Sequence, residues 1–358
     1  MSGTSADGVD ASIIQSDGDV EYKLILDKYF KYSHNIYENI HNLKDEIYDS
    51  KDLKNLSNKI QPLEKEITIF HADVVNKIVK EFKSNIDFVG FHGQTIFHNA
   101  KEKISKQLGD GELLSKLIKK TVIYDFRQND LKNGGHGAPL TPIFHKLLKV
   151  KFKIKDVTFV NIGGIVNVTT ILDDDKISGT DIGPGMCLID KWVREKSKEN
   201  YDENGIVAKS GKVNKIALNQ LLENFRTKEK ISRTGVIQSF DTKYFDFSFV
   251  RDLSFEDGAA TLTEFTAQII ISALKVTERN KEKIILCGGG RKNNFLFEKL
   301  KKEISRIKLI DEYGIDGDFV ESQAFAYLAI RSHLNLPISF PTTTGVDKPC
   351  SGGIINRI

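Results

Sequence analysis

Cysteine is scarce in this sequence. Cys187, Cys287 and Cys350 are three residues in 358, far apart and without paired spacing. An odd, sparse count argues against a disulfide framework and against a four-ligand structural zinc site, and points to a reducing compartment. Long apolar runs are missing too. The longest, around 157–172, is interrupted by Gly163, Gly164 and Asn167 and is too short to span a bilayer. The polar N-terminus lacks the apolar core of a signal peptide. There is no excess of one charge: 52 basic side chains face 49 acidic ones, for a formal net charge of +3. No stretch concentrates the basic residues, so nucleic acid is not an expected partner, and neither is a membrane. Charged segments such as 194–198 and 298–302 read as solvated helix faces. No His/Cys/Asp cluster has transition-metal spacing, so no protein-held metal is expected and magnesium would arrive with a nucleotide.

What is present is the composition of a globular enzyme, with 40% hydrophobic and 28% charged residues. A chain of this length predicts two domains. Alternation predicts a strand over 9–15 and a second over 22–30. Apolar positions at helical spacing fill 35–83, with Pro62 expected to kink or divide the helix. A short strand over 86–91 ends at His92-Gly93, and a hairpin follows. A helix over 112–119, a strand over 121–124 and a glycine turn at 133–139 lead into a helix through Leu148. The basic, polar run 149–156 is the expected interdomain boundary. Beyond it come strands over 157–160 and 166–172, a long helix over about 260–278, and a strand over 283–286. Gly288-Gly289-Gly290, a helix from about Asn293 and a helix over 319–333 close the pattern. Each half opens with glycine-punctuated strands and continues in helices and strands, an α/β organisation compatible with two lobes and a cleft.

Several segments carry chemistry-bearing residues. In Gly3-Thr4-Ser5-Ala6-Asp7-Gly8 the glycines would let backbone N–H groups approach an anion while hydroxyls add donors. Alone it reads equally as a hairpin turn, and it is no Walker loop, since no Gly-Lys-Ser/Thr follows. Asp181 stands in Gly179-Thr180-Asp181-Ile182-Gly183-Pro184-Gly185, read as a stiff turn before a helix over 186–193. Such a turn could fix a general base, or simply start a helix with Pro184. Cys287-Gly288-Gly289-Gly290, followed by Asn293, could bring backbone close to a nucleotide or be a tight strand-to-helix turn. Thr95 and Asp110 lie near strand ends, where α/β sheets place ligands. Arg127 could neutralise a phosphate or bind a carboxylate, with Asp125 and Asp130 as its simplest ion-pair partners. His92 alone reads as a structural histidine. Asp316-Gly317-Asp318 and Glu321 suit the start of the last helix.

Taken in order, these segments resemble the anhydro-N-acetylmuramic acid kinase family. The matching motifs are residues 1–10 (Met-Ser-Gly-Thr-Ser-Ala-Asp-Gly-Val-Asp), 91–95 (Phe-His-Gly-Gln-Thr), 108–111 (Leu-Gly-Asp-Gly) and 125–127 (Asp-Phe-Arg). They continue with 134–140 (Gly-Gly-His-Gly-Ala-Pro-Leu), 161–168 (Asn-Ile-Gly-Gly-Ile-Val-Asn-Val), 181–185 (Asp-Ile-Gly-Pro-Gly), 287–290 (Cys-Gly-Gly-Gly) and 314–321 (Gly-Ile-Asp-Gly-Asp-Phe-Val-Glu). The resemblance implies two ribonuclease-H-like lobes of the actin-like and sugar kinase superfamily with a nucleotide cleft between them. It places an N-terminal lobe at 1–150 and a C-terminal lobe at 151–358, with the helix over 319–333 packing back on the first. It implies a cytoplasmic homodimer that uses ATP and Mg²⁺. The reaction would phosphorylate the 6-oxygen of anhydro-N-acetylmuramic acid while water opens the anhydro bridge, in cell-wall recycling.

Carried over residue by residue, the resemblance makes Asp181 the base. Nucleotide contacts would come from Gly3, Thr4, Ser5, Ala6, Asp7, Gly8, Val9 and Asp10, from Gly163 and Gly164, and from Gly288, Gly289, Gly290 and Asn293. Ser2, Thr95, Asp110, Arg127 and Glu321 would contact the sugar. The sequence departs from the family pattern at Ile182, Met186, Val236 and Ile237, and a short strand that usually precedes the first motif is shortened or lost here. These departures keep open a nucleotide-binding ATPase of the same fold without sugar turnover. A dinucleotide oxidoreductase, suggested only by 287–290, lacks the Gly-x-Gly-x-x-Gly fingerprint.

Overall fold

The computed structural model describes residues 1–83, 85–232, 240–277 and 283–358. The chain divides into two units, Met1–Lys153 with Phe319–Ile358, and Ile154–Asp318. The lobe expected as 151–358 is therefore shorter than its motif order suggested. Its last forty residues lie in the first unit, because helix Val320–His333 packs across strands Gly8–Ser16, Phe88–Phe91 and Thr121–Tyr124.

The second unit is organised by one five-stranded sheet. From edge to edge it runs Ile307–Leu309, Lys283–Cys287, Val157–Ile162, Ile165–Ile171 and Ile177–Pro184. The first two pairings are parallel and the last two antiparallel. This is the strand arrangement of a ribonuclease-H-like lobe. Val157–Ile162 is buried along its whole length, as a central strand covered on both faces must be. Val160, Ile162, Val166 and Leu286 pack with Ala267, Ile270 and Leu274 of helix Phe255–Thr277 and with Leu296 and Leu300 of helix Asn294–Glu303. A second core gathers around Trp192, the only tryptophan, whose indole N–H donates to Phe255 O at 2.9 Å. Asp181 lies inside the strand Ile177–Pro184 and not on a turn. The expectation misread two glycines as turn markers; the strand is instead fixed by its ladder to Ile165–Ile171, with a bulge between Val166 and Asn167.

The sheet of the first unit is in separate hydrogen-bonded pieces. Gly8–Ser16 pairs with Tyr22–Lys31; Ile354–Asn356, Thr121–Tyr124 and Phe88–Phe91 form another piece; Gln94–Asn99 and Ile104–Leu108 form a hairpin. Met1 and Ser2 touch two of these pieces. Met1 O accepts from Asp10 N at 2.9 Å, and Ser2 bridges Gln94 in parallel. Helix Val320–His333 is fastened to the first of these pieces by polar contacts: Ser12 and Ser322 hydroxyls 2.6 Å apart, and Gln323 Nε2 donating to Asp27 Oδ2 at 2.7 Å. The long helical region breaks at 47–51 and at Leu56, not at Pro62, giving helices His34–Glu46, Asp52–Asn55 and Ser57–Phe82. Pro62 stands in the second turn of the last of these, where the missing N–H removes only one bond near the helix start. Helix Lys215–Ser232 had no counterpart among the sequence expectations, and Val236 and Ile237 fall outside the described residues.

Candidate functional site

In the second unit the predicted residues collect at one end of the sheet. Strand Val157–Ile162 runs into Gly163-Gly164, whose carbonyls accept from Met186 N and Gly185 N, both at 2.9 Å. Those glycines are thereby stitched to the segment just beyond Asp181. The neighbouring parallel strand Lys283–Cys287 delivers Gly288-Gly289-Gly290 beside the same strand end. At Gly288 φ is +80°, and a Cβ would stand 2.4 Å from Asn161 Oδ1 and 2.7 Å from Ile162 O. Only glycine fits there, for both backbone and steric reasons. A Cβ on Gly289 would meet nothing within 4 Å, and one on Gly163 only Ile165 O at 3.4 Å. The turn thus packs through Gly288 and Gly290 and leaves bare backbone at Gly289 facing open space. That surface suits the flat face of a nucleobase or ribose.

Asp181 is buried, with 8% exposure, and its Oδ2 accepts from Phe240 N at 2.9 Å. It faces Asn167 across the ladder. A buried carboxylate held by a backbone donor keeps one orientation, which is what a general base requires. Asn293 is buried, and its Oδ1 caps helix Asn294–Glu303 by accepting from Leu296 N at 2.9 Å. Its side chain faces the protein.

Arg291, which follows the three glycines, is a residue that motif reading missed. It is 5% exposed and binds Asp311 through Nε and Nη2 at 2.7 Å each, Asp316 at 2.9 Å, Asp318 at 2.5 Å and Gly288 O at 3.1 Å. Lys292 adds a second cation on Asp318. Asp316 and Asp318, expected to serve a helix start, instead grip this arginine. The hydrogen bond of Arg291 with Asp311 is the largest influence holding that carboxyl below its ordinary value of 3.8. Gly288 N donates to Gly317 O at 3.1 Å, so the clasp also fixes the glycine turn.

In the first unit the loop over residues 3–7 curls through a left-handed Ala6 (φ +54°), with Ala6 N donating to Gly3 O at 3.1 Å. A Cβ on Gly3 would meet only Ser5 Oγ, at 3.9 Å, so backbone there is open to an approaching anion. Lys44 Nζ and His41 Nε2 reach the outward carbonyls of Thr4 and Ser5 at 3.2 and 3.1 Å. Asp7 accepts from Ser5 and Tyr29, Val9 is core, and Gly8 is closed in by Tyr29 and Phe30. The Met1 ammonium donates to Asp10 O at 3.0 Å and feels the charges of Asp10 and Glu321. Ser2 is buried, its Oγ 2.6 Å from Gln94 Oε1 and 2.9 Å from Gly8 O.

Thr95, next along the hairpin, accepts from Gln107 Nε2 at 3.2 Å, and Gln107 also reaches Ser105. Asp110 is exposed and caps helix Gly111–Ile118 through Leu113 N at 2.9 Å. Arg127 donates to His92 Nε2 and to Gly137 O. Its guanidinium carbon lies 5.8 Å from the ring centroid of Phe325, one helical turn after Glu321. The structure therefore brings Ser2, Thr95, Arg127 and Glu321 onto neighbouring elements of one unit, and gives Asp110 a capping role beside them. Asp130, an expected partner of Arg127, is instead buried and accepts from Gly137 N and Thr344 Oγ1, each at 2.6 Å. It shapes the turn 134–139 on which Arg127 rests. Thr344 comes from the tail, over two hundred residues away in the chain, and no local signal pointed to it.

Among the described residues, no group of three or more His, Cys, Asp or Glu could hold a metal ion, and no helix is long and apolar enough to cross a membrane. The profile of the family described as Anhydro-N-acetylmuramic acid kinase matches residues 1–357. An Anhydro-N-acetylmuramic acid kinase of Pelagibacter ubique (strain HTCC1062) is 52% identical over 365 residues, covering 99% of this chain and 96% of that protein. One of Rhizobium etli is 36% identical over 378 residues, with the same coverage of each chain. Among solved structures, the ADPNP-bound activator of the 2-hydroxyisocaproyl-CoA dehydratase from Clostridium difficile is 11% identical, covering 90% of this chain and 94% of that chain at a TM-score of 0.42. That likeness is too distant to add to the assignment.

Proposed function

The chain belongs to the anhydro-N-acetylmuramic acid kinase family, and we propose that it converts anhydro-N-acetylmuramic acid and ATP to N-acetylmuramic acid 6-phosphate and ADP. The observation that supports this reading best is Asp181, a buried carboxylate with a fixed backbone donor beside the glycine turns. Asp181 accepts a proton from the water that adds to the anomeric carbon. The bond from that carbon to O6 opens, and O6 takes the phosphoryl group. General-base assistance of this kind is worth about 10²–10⁴-fold.

Bound ATP would supply the phosphoryl group, with Mg²⁺ offsetting the charge of its phosphates. The open backbone at Gly3 and at Gly289 fits contact with phosphate and with base or ribose respectively. Ser2, Thr95, Asp110, Arg127 and Glu321 are read as sugar-side residues. Thr95 is held by Gln107, and Arg127 by His92 and Gly137, and positioning is most of what phosphoryl transfer asks of a protein. We also take the protein to act in the cytoplasm as a homodimer.

The test is ATP consumption with and without anhydro-N-acetylmuramic acid, with the product mass measured. The reading expects sugar-dependent ADP release and a product carrying both an added phosphate and an added water. ATP loss that is independent of sugar, or a product lacking either addition, would refute it.

A further inference from the structure

We propose that His92 is a positioning residue that sets the plane of the Arg127 guanidinium; this rests on reading Arg127 as a sugar-side residue.

The geometry fixes the imidazole tautomer. His92 Nδ1 lies 2.9 Å from Gly93 O, and a carbonyl can only accept, so Nδ1 carries the proton. Nε2 is then a bare acceptor. One edge of Arg127 meets it, Nε at 3.2 Å and Nη2 at 3.0 Å. Nη1 donates to Gly137 O at 2.8 Å. Two separate anchors define a plane, and each is itself held. Gly137 N is fixed on buried Asp130. The His92 ring packs on Phe325 with centroids 4.3 Å apart. Gly93 has φ +74°, and a Cβ there would stand 2.3 Å from Leu108 O, so the turn that presents its carbonyl to His92 requires glycine.

The choice of histidine has a physical consequence. A carboxylate at this position would also orient the guanidinium, but would cancel its charge. A neutral imidazole acceptor orients it and leaves the charge in place. Burial, and then the nearby Arg127 charge, keep His92 well below its ordinary value of 6.5, so it stays an acceptor at neutral pH. Arginine side chains are rich in rotamers, and holding the fork in place beforehand reduces the entropy that binding must remove.

The experiment is a double-mutant cycle between His92 and Arg127, read as separate KM and kcat values for sugar and ATP, with thermal melting as a fold check. His92→Phe keeps a ring against Phe325 but removes the acceptor. It is expected to lower kcat/KM for the sugar by about 10-fold or more while leaving the KM for ATP unchanged. His92→Gln, which restores a carbonyl acceptor, should recover part of that loss. In an Arg127→Gln background, His92→Phe should cost little more. If Arg127→Gln leaves sugar kinetics intact, the reading of Arg127 fails. If Arg127→Gln impairs the sugar step but the His92 loss is absent, multiplies independently, or falls equally on ATP, the positioning role is overturned. Should His92→Phe not fold, the cycle is run with His92→Gln and His92→Asn. A role for the acceptor then predicts that the variant reaching Arg127 keeps the better sugar KM at equal melting temperature, and the same KM in both refutes it.

Discussion

The two units build their candidate ligand surfaces from different materials. In the second, the surface is bare backbone: Gly163-Gly164 and Gly288–Gly290 lie at the ends of adjacent strands, with Asp181 on the same sheet. In the first, apart from the open backbone at Gly3, it is side chains held by other side chains: Thr95 by Gln107, Arg127 by His92, and the turn under Arg127 by Asp130 and Thr344. Backbone surfaces are set by where strands end and by which residues lack a Cβ. Side-chain surfaces depend on partners far apart in the chain. The first kind should fail through added atoms, the second through removed acceptors and donors.

The sharpest way to probe the contrast is the one side chain with a chemical role among the backbone elements. Asp181→Asn should cut turnover by about 10²-fold or more while ATP binding, followed calorimetrically, persists. Near-normal turnover would remove Asp181 as the base.

Next comes Arg291, which makes the backbone surface depend on a side-chain clasp after all. Arg291→Ala should cost about 3 kcal/mol in urea unfolding, at the low end for a broken buried pair because Asp311 and Asp316 stay partly solvated. The sign of its pH dependence follows from Asp311. A carboxyl held below 3.8 in the folded state contributes fully above 3.8, and that contribution is lost as pH falls through the lower folded value. The stability gap between wild type and Arg291→Ala should therefore narrow below pH 3.8. A constant gap would show that the charge on Asp311 is not what the arginine stabilises.

The smallest and most discriminating effect compares two adjacent glycines. Gly288→Ala meets both a left-handed backbone and contacts under 3 Å, and should lose about 1–2 kcal/mol. Gly289→Ala points into open space and should change stability by less than about 0.5 kcal/mol. If nucleotide lies against Gly289, that same methyl should raise the KM for ATP. An unchanged KM would move the nucleotide contact elsewhere.

The contrast also explains what could be read in advance. The glycine motifs, the α/β alternation and the position of Asp181 stood out because each is a local pattern: a strand period, a missing side chain, a short run in fixed order. The strand around Asp181 did not, since Gly179 and Gly183 look like turn residues until the Ile165–Ile171 ladder fixes them. Arg291 carried no local signal, and Asp316 and Asp318 read as helix-start acids. Their joining needed three separate segments to fold onto one another. His92 was legible as a structural histidine, but not as the acceptor for Arg127.

By itself, then, the sequence determined which residue types stand at which strand ends and, through nine motifs in order, the family. Tertiary structure decided the rest: that the tail beyond the last helix stays with it in the first unit, that Asp130 serves a turn and not Arg127, and that Arg291 locks the triple-glycine turn. The physical reason is one of range. Strand period and glycine freedom act within a few residues, whereas a buried charge or acceptor takes its partner from whatever packing brings within about 3 Å.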